Sequence, residues 1–161
     1  GIVNKRIILS TLLVAQYCKD CFFIISSGPA TSEGELNEYK KIASKLKNVE
    51  FKKVIEPEKF DLYIKACDLS INMSGYNTIA RLLYYNKKTI ITPYYTSEQR
   101  WRADLAAEYI PSRVIKSKSL RVEYLRDNIN QLLESSSGPS RVKKSWFKGI
   151  ANTIDKINTI A

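Results

Sequence analysis

The chain has 161 residues, 44% hydrophobic and 26% charged, which is the composition of one ordinary globular domain able to bury a core. Lys and Arg number 26 against 16 Asp and Glu, so the domain carries a net +10 that attracts anions of some kind. With no His anywhere, a Ser-His-Asp triad, His-ligated zinc and a histidine general base are excluded from this chain.

No apolar run approaches the roughly 18 to 20 residues of a membrane span, and residues 1–5 are too short and polar for a signal peptide, so the expected location is the cytoplasm. Residues 4–17 read as a helix, with Ile7, Ile8, Leu12, Val14 and Ala15 forming its apolar stripe. Cys18-Lys19-Asp20-Cys21 has C-x-x-C spacing, but it closes a helix and opens a strand, the reverse of a redox motif. Cys67 is the one further cysteine, so a zinc site lacks partners and the thiols read as packed side chains. Residues 21–26 (Cys-Phe-Phe-Ile-Ile-Ser) form a continuous apolar run, the pattern of a strand buried on both faces, and Ser27-Gly28-Pro29 stops it. Ser32-Glu33-Gly34-Glu35 has capping-box spacing, and Leu36, Tyr39, Ile42, Ala43 and Leu46 continue at helical period.

A strand follows over 49–54, a helix over 57–67 and a strand over 69–73. The pattern repeats with a helix over 76–85, a strand over 89–93, a helix over 97–109 and a short strand over 113–116. Val122, Leu125, Ile129, Leu132 and Leu133 mark a long amphipathic helix. Ser135 to Ser140 resembles a linker, and beyond it 141–161 reads as a last amphipathic helix carrying Trp146, Ile150, Ile154, Ile157 and Ile160. Strands alternating with helices at this spacing predict a doubly wound α/β domain over 1–161, its parallel sheet covered on both faces. Because the chain opens on a helix after Gly1, a first strand is expected ahead of it in a longer protein.

Ligands of open α/β sheets bind at the carboxyl ends of strands, where helix N-termini point free N–H groups into a crevice. Met73 to Thr78 suits such a place: Gly75 lets backbone approach a ligand, while Ser74, Asn77 and Thr78 cap a helix or donate to phosphate oxygens. An ordinary helix start, with Ser74 as the cap, has the same composition. Ser26-Ser27-Gly28-Pro29 and Thr96-Ser97-Glu98-Gln99 also follow predicted strands, so three polar turns line one edge. Thr96 and Gln99 fit a capping box and Glu98 suits the helix dipole; equally, Glu98 or Gln99 can bond ligand hydroxyls.

Ala66-Cys67-Asp68-Leu69-Ser70-Ile71-Asn72-Met73-Ser74-Gly75-Tyr76-Asn77-Thr78, followed by Glu98-Gln99-Arg100-Trp101-Arg102-Ala103, resembles the donor-binding half of GT-B glycosyltransferases, family 28 in particular. The resemblance covers Gly1 to about residue 116. It implies a Rossmann-like C-terminal domain that binds a nucleotide-sugar donor, a UDP-sugar by the commonest pattern, in an enzyme whose acceptor domain lies upstream. Gly75, Asn77 and Thr78 would then face the donor diphosphate, with Ser74 in the same turn, Ile55 and Glu56 beside the base, and Glu98 and Gln99 at the sugar. Such transferases are generally inverting hexosyltransferases that need no metal or cofactor, and their general base belongs to the N-terminal domain. No catalytic residue is expected here, and the domain alone should be inactive.

One departure stands out: Arg81 occupies the position where many relatives carry the carboxylate that holds ribose. On helical spacing it reads as a solvated charge or as the partner of a phosphate or an acidic neighbour. Two other readings compete. One is a separate donor-binding subunit of a two-protein transferase. The other is a nucleic-acid-binding module built on ten Tyr, two Trp and the basic-aromatic stretch 141–148. That stretch can also be the solvated start of the last helix, or touch anionic headgroups near a lipid-linked acceptor at the inner membrane face.

Overall fold

A computed structural model describes residues 2–136 and 141–149. The elements run α1 (Ile2–Ala15), β1 (Phe23–Ser26), α2 (Glu33–Ala43), β2 (Val49–Lys52), α3 (Pro57–Ala66) and β3 (Leu69–Asn72). They continue with α4 (Tyr76–Tyr85), β4 (Lys88–Ile91), α5 (Ser97–Tyr109), β5 (Ser112–Val114) and α6 (Val122–Glu134). Trp146 sits in a 3-10 turn, Lys144–Phe147, where the sequence pattern predicted the first turn of an α-helix. The remainder of that predicted helix lies outside the described residues.

All strand pairs are parallel, as the βα alternation requires, but they fall into two groups, β1-β2 and β3-β4-β5. β1 pairs from Phe23 against Val49 to Ser26 against Lys52, and β3 pairs from Leu69 against Lys88 to Asn72 against Ile91. Helices wind onto both faces. Val14 of α1 and Leu125, Ile129 and Leu132 of α6 bury one face of β3 and β4 around Ile90, with Leu69 and Ile71 packed beside them. On the other face, Ile64 of α3, Ile79 and Leu82 of α4, and Ala103 and Ala106 of α5 close around Ile91. α1 and α2 cover β1 and β2 through Ile8, Leu12, Ile25 and Tyr39. Phe23 belongs to both the first and the third cluster, which places β1 on the side of its pair nearer to β3.

The apolar run at 21–26 predicted a strand buried on both faces, and the structure corrects this. Phe22 and Ile24 are exposed while Ile25 is buried, because the described helices cover this strand from one side only. β2 follows the same division: Val49 and Phe51 face the core, and Glu50 and Lys52 form an ion pair at 2.6 Å on the open face.

Polar side chains tie the turns. Asn48 Nδ2 donates to the carbonyls of Ala15, Cys18 and Cys21, each at 3.0 Å, which fixes the chain between α1 and β1 around the C-x-x-C. Burial raises both thiols above their usual range, which disfavours the thiolate. Lys88 Nζ donates to the carbonyls of Leu133 and Ser135 at 2.9 and 2.6 Å, placing a cation at the negative end of α6.

The predicted capping box at α2 is present on both arms: Glu35 N–H bonds the Ser32 hydroxyl and Glu35 reaches back to the Ser32 N–H. The bonds from Ser32 hold the Glu35 carboxyl below its usual range. A depressed carboxyl stabilises the fold above its unfolded pKa, and that contribution disappears as pH falls through the folded value. Urea midpoints should therefore drop between neutral pH and about pH 3, and Ser32→Ala should drop less over that interval, because it has already lost the cap.

Candidate functional site

The loops after β1, β2, β3 and β4 lead from strand carboxyl ends into helix N-termini, those after β1 and β2 at the carboxyl end of one parallel group and those after β3 and β4 at the carboxyl end of the other. β3 ends at Asn72 and α4 starts at Tyr76, with Gly75 as its N-cap residue. No side chain caps α4 among the described residues. Its first intrahelical bond runs from Ile79 N–H to the Gly75 carbonyl at 2.9 Å, so the N–H groups of Tyr76, Asn77 and Thr78 lie ahead of the helix's own bonding pattern. With the helix dipole they concentrate partial positive charge at this end.

Ser74, the expected cap, does not cap. It is fully buried, and its hydroxyl donates to Gln99 Oε1 at 3.4 Å. The same Gln99 oxygen accepts from Tyr94 N–H at 2.9 Å. This corrects the predicted capping box at α5. Thr96 Oγ1 accepts from Gln99 N–H at 3.3 Å, but the Gln99 side chain crosses to the neighbouring turn and does not return to Thr96. Arg102 completes the junction, its Nε donating to the Ser74 carbonyl at 2.9 Å, and it also pairs with Glu98. Arg102 is mostly buried while the Glu98 side chain is 74% exposed, so the guanidinium is the fixed partner.

Gly75 has φ −64° and ψ 136°, values open to any residue, and a Cβ there would meet nothing closer than Thr78 Oγ1 at 3.9 Å. Neither the backbone nor the packing requires glycine at this position. What a side chain would obstruct is the space in front of the α4 N–H groups.

The remaining expected residues spread along the edge. Asn77 is exposed and Thr78 half-buried, both in the first turn of α4. Glu56 is the exposed N-cap residue of α3, paired with Lys59 at 2.7 Å, and that hydrogen bond and charge hold its carboxyl below the usual range. Ile55, half-buried, precedes it in the same loop. The structure thus joins Ser74 directly to Gln99. Ile55 and Glu56 lie across α3, tied to α4 through other residues.

That tie is Asp61, which the sequence reading did not single out. Arg81 pairs with an acidic neighbour: its Nε bonds Asp61 at 3.1 Å, its Nη1 donates to the Asn77 carbonyl at 3.2 Å, and it lies 5.7 Å from the Phe60 ring centre. Tyr85 donates to the other Asp61 oxygen at 2.7 Å. Asp61 and Arg81 come from different helices, so no local spacing signals the pair.

The turn after β1 lines a cavity of about 90 Å³ with Asn4, Ser27, Gly28, Thr31 and Tyr39. Gly28 needs its glycine there, since its φ is 87°. The polar groups of this turn are satisfied internally: Asn4 Nδ2 and Thr31 Oγ1 donate to the Ser27 carbonyl at 2.8 and 2.9 Å. The basic-aromatic stretch lies elsewhere. Trp146 packs on Tyr109 at 5.5 Å and Phe147 on Tyr84 at 5.3 Å, both near the C-terminal ends of their helices and hence on the opposite edge of the sheet.

Among the described residues no cluster of His, Cys, Asp and Glu has the grouping of a metal site, and no helix is long and apolar enough to cross a membrane. A search of curated proteins finds no match. Among solved structures, the chain resembles the glycotransferase of kitacinnamycin, with a TM-score of 0.65 and 18% identity over 80% of this chain and 31% of that one. At that identity the likeness concerns the fold, and the chain spans about a third of that protein's length. The model of the glycosyltransferase family 28 C-terminal domain matches residues 5–156. A chain with parallel strands, helices wound onto them and a helix start at the carboxyl end of β3, matched by that model over nearly its whole length, belongs to the family 28 C-terminal domains of glycosyltransferases.

Proposed function

We propose that this domain binds the diphosphate of a nucleotide sugar, a UDP-sugar, at the start of α4. Joined to an acceptor-binding domain or partner subunit, it transfers the sugar to a hydroxyl with inversion. The observation that carries the reading is the α4 start: an uncapped helix end next to a glycine that neither backbone nor packing requires.

Inverting transfer needs a base on the acceptor and stabilisation of the leaving diphosphate. The second task suits the N–H groups of Tyr76, Asn77 and Thr78, which carry positive charge without titrating and need no reorganisation as charge develops. The base is assigned to the acceptor domain. By this division the domain alone binds donor and transfers nothing. Among the described strands β1 and β3 each pair on one side only, and Phe23, Leu69 and Ile71 pack against one cluster, which leaves room in this reading for a further strand between them.

Amide NMR spectra of the chain titrated separately with UDP, GDP and dTDP test the reading. UDP should move the amide signals of Gly75 to Thr78 more than the other nucleotides do. If none of the three moves them, the turn is an ordinary helix start and the donor assignment is lost.

A further inference from the structure

We propose that Gln99 and Arg102 are positioning residues that hold the Ser74 turn so the first N–H groups of α4 stay open to the diphosphate. This rests on the donor reading above. The two side chains lie three residues apart on α5 and so share a face of that helix. Between them they take the hydroxyl and the carbonyl of Ser74: Gln99 Oε1 accepts from the hydroxyl at 3.4 Å, and Arg102 Nε donates to the carbonyl at 2.9 Å. Gln99 binds the next loop as well, through Tyr94 N–H at 2.9 Å.

A serine beside a helix start commonly turns its hydroxyl onto the helix N–H groups. Ser74 is drawn the other way, into a site where it has no exposed surface. The contacts with α5 offset the missing cap and leave the anion-binding groups unoccupied. Arg102 acts here through the position of its Nε donor and not through its charge. Its side chain is 12% exposed, and Glu98 holds the outer end of the guanidinium.

Lysine separates the two roles, since it keeps a cation beside Glu98 but carries a methylene where Nε stands. UDP affinity and amide spectra should be compared for the wild-type chain, Arg102→Lys, Gln99→Leu and the exposed control Arg100→Lys. We expect Arg102→Lys and Gln99→Leu each to weaken UDP about tenfold, the equivalent of one hydrogen bond. In the free protein both should shift the signals of Ser74 to Thr78 with little change elsewhere, and Arg100→Lys should do neither. Wild-type affinity with unshifted turn signals in both variants would overturn the proposal while leaving the donor reading intact. Wild-type affinity in Arg102→Lys alone overturns the Nε role and returns Arg102 to charge. Gln99→Leu decides the matter if Arg102→Lys does not fold. A wild-type chain that fails to bind UDP overturns the donor reading and this proposal together.

Discussion

Gly75→Asp should hold or raise the melting temperature of the domain and weaken UDP binding more than about 100-fold. The two effects have one cause. Aspartate is a favoured N-cap residue, and its carboxylate would accept bonds from the α4 N–H groups that now lack a cap. Against glycine this cap is worth a few tenths of a kcal/mol, and the negative charge at a helix N-terminus adds about 0.3–1 kcal/mol. The site has room for it, because a Cβ at Gly75 meets only Thr78 Oγ1, at 3.9 Å. The same carboxylate then stands where phosphate oxygens would stand, and like charges in contact cost several kcal/mol. Thermal melts and UDP titrations on one preparation separate the two effects. A more stable variant that still binds UDP as wild type does would place the nucleotide elsewhere.

Leu82→Ala should lower stability by about 3 kcal/mol, or about 6–12 °C in melting temperature for a domain of this size. Leu82 is fully buried between α4, α3 and α5, in the cluster of Ile64, Ile79, Ile91, Ala103 and Ala106. Two of its neighbours are alanines, which cannot extend into the space left behind. α4 also carries the proposed binding groups in its first turn, four to six residues before Leu82, so loosening this contact should weaken UDP in the surviving folded fraction as well. Denaturant melts give the first number directly. A loss below about 1 kcal/mol would mean that α4 is held mainly by the Arg81–Asp61 bridge and not by its apolar face.

The element order was legible from periodicity alone. α3, α4 and α5 begin at the predicted residues, and α2 carries the predicted capping box, because apolar period and local cap chemistry depend on neighbours within a few residues. The candidate turn from Met73 to Thr78 stood out for a similar reason: the glycine and the short polar residues are contiguous. Where prediction failed, a partner far along the chain decided. The exposure of Ile24 followed from which faces the helices cover. The hydroxyl of Ser74 and the amide of Gln99 each fitted a local capping pattern, and each left it for the other, 25 residues away.

Arg81 shows the same division, since on its own helix it looks solvated and only the approach of α3 brings Asp61 to it. The sequence by itself determined the α/β alternation, the helix starts, the basic charge and the candidate turn, all properties of short segments. Tertiary structure alone decided which polar groups in that turn are consumed and which remain open, because hydrogen-bond partners from α5 compete with the local ones and bind in their place.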